Sequence, residues 1–209
     1  MNVQHSKRPL LWKVLLIGGH SGVGKTVVAR QLARRFGVAL AEVDDFRLVL
    51  GRMTTPEQQP PLHALLAAGS ETDLSPTAVC DSLIAVAQTV SHALEIVVAN
   101  HVATDTPTIL EGDGLLPAFA ARRVFANRHV GSSVRAVFLI EEDETRLFRS
   151  AVERGRGFES LAPTHQRRQV RVSWLYGQWL QQEAVRYSLP IVTPHPRETL
   201  TERIVNVIQ

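Results

Sequence analysis

Residues Gly19-His20-Ser21-Gly22-Val23-Gly24-Lys25-Thr26 read G-x-x-x-x-G-K-T, directly after the apolar run Val14–Ile17 and at the head of a helical pattern, Lys25–Phe36. A buried strand, a glycine-rich turn and a helix N-terminus in that order form an anion cradle. Backbone N–H groups close on phosphate oxygens, and the helix dipole favours the negative charge. Lys25 is placed to reach β- and γ-phosphates, and the Thr26 hydroxyl to ligate Mg²⁺. All eight residues, Gly19 to Thr26, are therefore candidates for binding ATP. Phosphate loops serve switches, motors and kinases alike, so the other strand ends must decide the reaction.

Asp44 and Asp45 follow a second apolar run, Val38–Val43, on the same sheet edge as the loop. A carboxylate at a strand tip there accepts the proton of a hydroxyl that attacks the γ-phosphorus, and Asp44 is the candidate base. Asp45 either contacts substrate or caps the next helix. Thr108-Ile109-Leu110-Glu111-Gly112-Asp113-Gly114 is a third strand ending in acids. Glu111 ends the apolar run and is the preferred ligand for magnesium or its water. Glu111 and Asp113 are both candidates for contacting substrate, and Asp113 also fits a plain turn. Arg154 and Arg156 flank Gly155 in a segment, 154–168, that reads as an arginine-bearing lid over the phosphates.

The elements that must position these groups alternate strand and helix, which specifies an α/β fold with a parallel sheet covered on both faces. Strands are expected at Trp12–Ile17, Val38–Val43, Thr108–Glu111, Val134–Ile140 and Pro190–Thr193. The expectation is a P-loop three-layer sandwich with five parallel strands and an arginine-rich lid, as one domain over 1–209. Helices are expected at Lys25–Phe36, from near Asp45 with Phe46, Val49 and Leu50 apolar, at Pro76–Val102, Asp143–Arg154, Thr164–Ser188 and Arg197–Ile208, with a short one at His63–Ala68. Residues 51–76 carry Pro56, Pro60, Pro61 and Pro76 and read as irregular; the stretch 51–102 is a candidate substrate-side cap. Trp174, Tyr176 and Trp179 sit at helical spacing and read as core.

The chain has 209 residues, 44% hydrophobic, with a net charge of +3, enough apolar content for one buried core. No basic block with interleaved aromatics marks a nucleic-acid groove. Cys80 is the single cysteine, so no intrachain disulfide forms. No stretch reads as long enough to span a bilayer, so a cytoplasmic protein without membrane association is expected, as monomer or homodimer. Every lysine lies at or before position 25, which leaves no N/T-K-x-D element for guanine.

The set Ile17–Thr26, Val43-Asp44-Asp45-Phe46-Arg47 and Ile109–Pro117 resembles the 2-phosphoglycerate kinase family of small P-loop kinases. Val43-Asp44-Asp45-Phe46 is also similar to the corresponding element of chloramphenicol phosphotransferase. The resemblance implies that Asp44 is the base and that Arg47 binds an anionic substrate. It implies ATP- and Mg²⁺-dependent transfer of the γ-phosphoryl group to a hydroxyl of a small molecule, a 2-phosphoglycerate-like acid among them. A regulatory ATP-binding or ATPase module, and a nucleoside or sugar-nucleotide kinase, are the alternatives.

Overall fold

The structure is a computed structural model that describes residues 10–67, 74–155 and 157–208. Strand β1 (Val14–Gly19) leads through the loop into α1 (Lys25–Phe36), and β2 (Ala39–Glu42) leads straight into α2 (Val43–Met53). Helices α3 (Pro60–Ala67) and α4 (Pro76–Ala103) precede β3 (Thr108–Glu111) and the short α5 (Pro117–Ala120). A small hairpin, β4 (Val124–Phe125) and β5 (Arg128–His129), precedes β6 (Val134–Leu139) and α6 (Glu144–Arg154). The chain closes with α7 (Pro163–Arg186), β7 (Ile191–Val192) and α8 (Leu200–Ile208).

The five main strands are parallel in the order β2-β3-β1-β6-β7. β1 is central, and all of its residues are buried, as a strand covered on both faces must be. Its side chains alternate between two cores. Val14 and Leu16 pack with Leu110, Phe138, Leu94 and Leu180 on the α4–α7 face. Leu15 and Ile17 pack with Ile109, Leu139, Leu32 and Ile204 on the α1–α8 face. This is the expected three-layer, five-stranded sandwich, and it brings β1, β3, β6 and the start of α2 to one edge.

Some local expectations are corrected. The helix expected from about Asp45 starts two residues earlier: Val43 and Asp44 are not a strand tip but open the first turn of α2, which begins with no capping hydrogen bond from Glu42. Within 51–76 the expected short helix forms as α3, but it starts on Pro60-Pro61, where proline suits a helix start, rather than at His63. Gly69, Ser70 and Thr72 of that segment lie outside the described residues. The β4–β5 hairpin was not expected. Finally, α4 is long and apolar enough to cross a bilayer by length and composition, with a mean hydropathy of 1.6 over its most apolar window. Here it packs as a core helix, with Val79, Val86, Val90, Leu94 and Val98 buried along one side.

Candidate active site

The phosphate loop needs left-handed backbone to fold its N–H groups inward, and Gly22 and Gly24 supply it at φ 88° and 89°. Gly24 stands at the N-terminus of α1, whose first turn holds no acidic residue to compete for an anion. Lys25 is buried, and its Nζ donates to the His20 carbonyl at 2.9 Å. Nζ also forms an ion pair with the Asp113 carboxylate. Thr26, the next residue, hydrogen-bonds the Glu111 carboxyl at the end of β3. Burial raises the Glu111 pKa, while Thr26 and the Lys25 charge pull it back.

His20 departs from the expectation that the whole loop faces phosphate. Its side chain is fully buried. Nε2 accepts the backbone N–H of Glu141 at 3.0 Å, so the proton resides on Nδ1, which lies 3.1 Å from Ser173 Oγ. Ser173 in turn donates to the Ser21 carbonyl at 2.9 Å. The imidazole thus ties the loop to the end of β6 and to α7. Burial, then the Lys25 charge, lowers its pKa from 6.5 to about 3, so it is neutral in the fold. The approach is possible because position 177 of α7 is glycine: a Cβ there would lie 2.6 Å from His20 Cδ2.

Asp44 stands across the cleft, one helical turn before Arg47, whose Nε lies 3.9 Å from Asp44 Oδ1. The Asp44 side chain is 59% exposed and lines the cavity. The walls desolvate its carboxyl and the Asp113 charge repels it, so its pKa is raised, with Arg47 and Lys25 opposing. Gly112 permits the start of α2 to lie against β3, since a Cβ there would meet Val43 Cβ at 2.7 Å. Tyr176 Oη, from α7, donates to the Asp113 carbonyl at 2.7 Å and fixes the turn.

Asp44 and Arg47 of α2 line one cavity of about 860 Å³ together with Ser21 and Gly22 of the loop, Asp113, and Arg154 of α6; Lys25, Thr26 and Glu111 lie behind its lining. Arg154 Nη1 donates to Ser21 Oγ at 3.3 Å. Asp45 is exposed in the first turn of α2. Arg156 lies outside the described residues. Of the expected lid, the described residues show Arg154 on the loop; nearby, Arg146 pairs with its cap Asp143, and Arg171 pairs with Glu144 and stacks on Trp174. Glu141 is buried just after β6, accepts from the Asp143 N–H and faces His195 at 3.7 Å. Two contributions escaped sequence reasoning. The Lys25–Asp113 contact crosses 88 positions and the His20–Ser173 contact 153, and nothing in either local sequence marks them.

The oxygen donors beside the loop are hard ligands of the kind Mg²⁺ takes. The buried Glu111 carboxylate has a hydroxyl and a nearby ammonium but no ion pair of its own among the described residues, so a divalent cation would relieve its burial. Thr26 and Glu111 therefore fit the group that a nucleotide would bring.

No protein-family model matches the chain. A 2-phosphoglycerate kinase of Pyrococcus horikoshii is 29% identical over 132 residues, 56% of this chain and 43% of that protein. One from Pyrococcus furiosus is 34% identical over 70 residues, 29% of this chain and 23% of that protein. The matches thus span less than half the length of these relatives. A sugar kinase from a Janibacter species superposes with a TM-score of 0.58 at 18% identity, over 94% of both chains. Shikimate kinase from Acinetobacter baumannii does so with a TM-score of 0.52 at 14% identity, over 94% of this chain and 93% of that one. This chain has the fold of the small P-loop kinases and resembles, in sequence, the 2-phosphoglycerate kinases.

Proposed function

We propose that the protein is an ATP- and Mg²⁺-dependent kinase that phosphorylates a hydroxyl of a small molecule. One observation carries the reading: Asp44 opens into the same cavity as Ser21 and Gly22 of the phosphate loop, where burial and the Asp113 charge raise its pKa. In this reading the hydroxyl oxygen of the acceptor attacks the γ-phosphorus while its proton passes to the Asp44 carboxylate. The bond from phosphorus to the bridging oxygen breaks, and ADP leaves. Lys25 exchanges its Asp113 contact for phosphate oxygens. Arg154, already on Ser21, carries charge on the transferring group, as does Arg156. Thr26 and Glu111 would hold a magnesium ion, whose charge would offset that developing on the phosphates. Asp45 and Asp113 border the acceptor. The stretch 51–102 supplies the acceptor wall through Leu62, His63 and Val79, and 154–168 closes over the nucleotide side. The sequence similarity makes a small hydroxy acid, 2-phosphoglycerate-like in carrying an anionic group, the acceptor class to test first, with Arg47 as its partner.

The test is Asp44→Asn. It keeps size and hydrogen bonding but cannot take the proton. Acceptor phosphorylation should fall by about 10²-fold or more, while ATP binding stays within a few-fold of the parent. Full turnover in this variant would remove Asp44 from the role of base.

A further inference from the structure

The acceptor half of the cavity has a composition that a compact polyanion does not need. Its far wall is built from three helices and is apolar: Leu48 of α2, Leu62 of α3, and Val79, Leu83, Val86 and Val90 of α4. A pocket of this kind binds by burying apolar surface and orients its ligand with a few polar groups. The charge on that side is small. Lys25 is engaged by Asp113, Arg47 faces Asp44, and Arg154 lies on the loop. Arg52, one further turn along α2 at the rim, is the cation left over on the acceptor side among the described residues. A ligand carrying several negative charges would place most of them against Leu and Val with no partner, at a desolvation cost that Arg52 and the half-exposed Arg47 do not offset.

We infer that the cavity beside Asp44 takes a hydroxy acid with one anionic group and an apolar body of roughly ring size. The anion lies toward Arg52 and Arg47, the body against Leu48, Leu62 and Leu83, and the hydroxyl toward Asp44. This deepens the kinase reading and rests on it for the fate of the hydroxyl. It separates this chain from an enzyme for a compact, multiply charged phospho-acid.

Calorimetry on the full chain, with a non-hydrolysable ATP analogue and Mg²⁺, tests it with three probes: 3-phenyllactate, glycerate and 2-phosphoglycerate. ADP release with ATP is followed in parallel. Burying one ring against the wall is expected to make phenyllactate bind at least about tenfold tighter than glycerate. Leu83→Gln should remove most of that ratio. Leu48→Gln, at a 55% exposed position where folding is not at stake, should remove part of it. Arg52→Gln should weaken both monoanions by a similar factor. Equal binding of phenyllactate and glycerate, tightest binding of 2-phosphoglycerate, or binding of none of the three overturns the inference. Phenyllactate binding without ADP release leaves the inference standing and refutes the kinase reading instead. ADP release that prefers 2-phosphoglycerate does the reverse.

Discussion

Buried and neutral in the fold, His20 makes the protein acid-sensitive by a calculable amount. Its pKa is 6.5 when free and about 3 when folded, because burial and the Lys25 charge exclude the proton. Above pH 6.5 both states are neutral and the difference costs nothing. As pH falls below 6.5 the unfolded chain takes up a proton that the folded chain refuses. Stability then drops by up to about 1.4 kcal/mol per pH unit until the folded value is reached. Between pH 7 and pH 5 the loss from this one group is about 2 kcal/mol, a large share of the ~5–15 kcal/mol that holds a typical domain together. The carboxyls of Asp44 and Glu111 have raised values and act in the opposite sense, favouring the folded state as they protonate. They act in parent and variant alike and cancel in a comparison. His20→Gln is the comparison: it is less stable at neutral pH, having lost the fitted contacts to Glu141 and Ser173. Urea midpoints at pH 7, 6 and 5 should show the parent converging on the variant by about 2 kcal/mol. Curves that stay parallel would refute a neutral, proton-excluding His20.

Two further outcomes follow from the same site. Asp113→Asn frees Lys25 from its partly exposed ion pair, so ATP should bind up to about fivefold tighter by fluorescent-nucleotide titration; weaker binding would mean that Asp113 holds the nucleotide or its metal. Gly177→Ala forces a Cβ to 2.6 Å from His20 Cδ2. Despite a helix-propensity gain of about 1 kcal/mol it should lower stability by about 1–3 kcal/mol and weaken ATP binding, and a raised Tm would show that α7 yields freely there.

The layout of strands and the loop was legible because both depend on local pattern. The run from Val14 to Ile17 before a glycine-rich turn admits one architecture, and β3 ends at Glu111 as its apolar run does. The start of α2 falls two residues before Asp45 because Val43 continues the apolar pattern of Val38–Ala41, and no capping side chain marks the change of backbone after Glu42. The β4–β5 hairpin turns through Ala126 and Asn127, both at positive φ, and alanine gives no hint of such a turn. At the site, residue types were readable but partners were not. Asp113 reads as a turn acid until α2, α7 and the loop converge on it, and His20 occupies a variable position of its motif while its contacts come from β6 and α7.

β2 passes into α2 without an intervening loop, so Asp44, Arg47 and Leu48 ride on one stiff rod anchored at Val43 against Gly112. A tilt of that rod would carry all three side chains together, in fixed mutual register. Under the proposed kinase reading, acceptor choice can therefore drift through changes beneath α2, at the seat of Val43 or along α4, while the phosphate loop after β1, two strands away, keeps its shape.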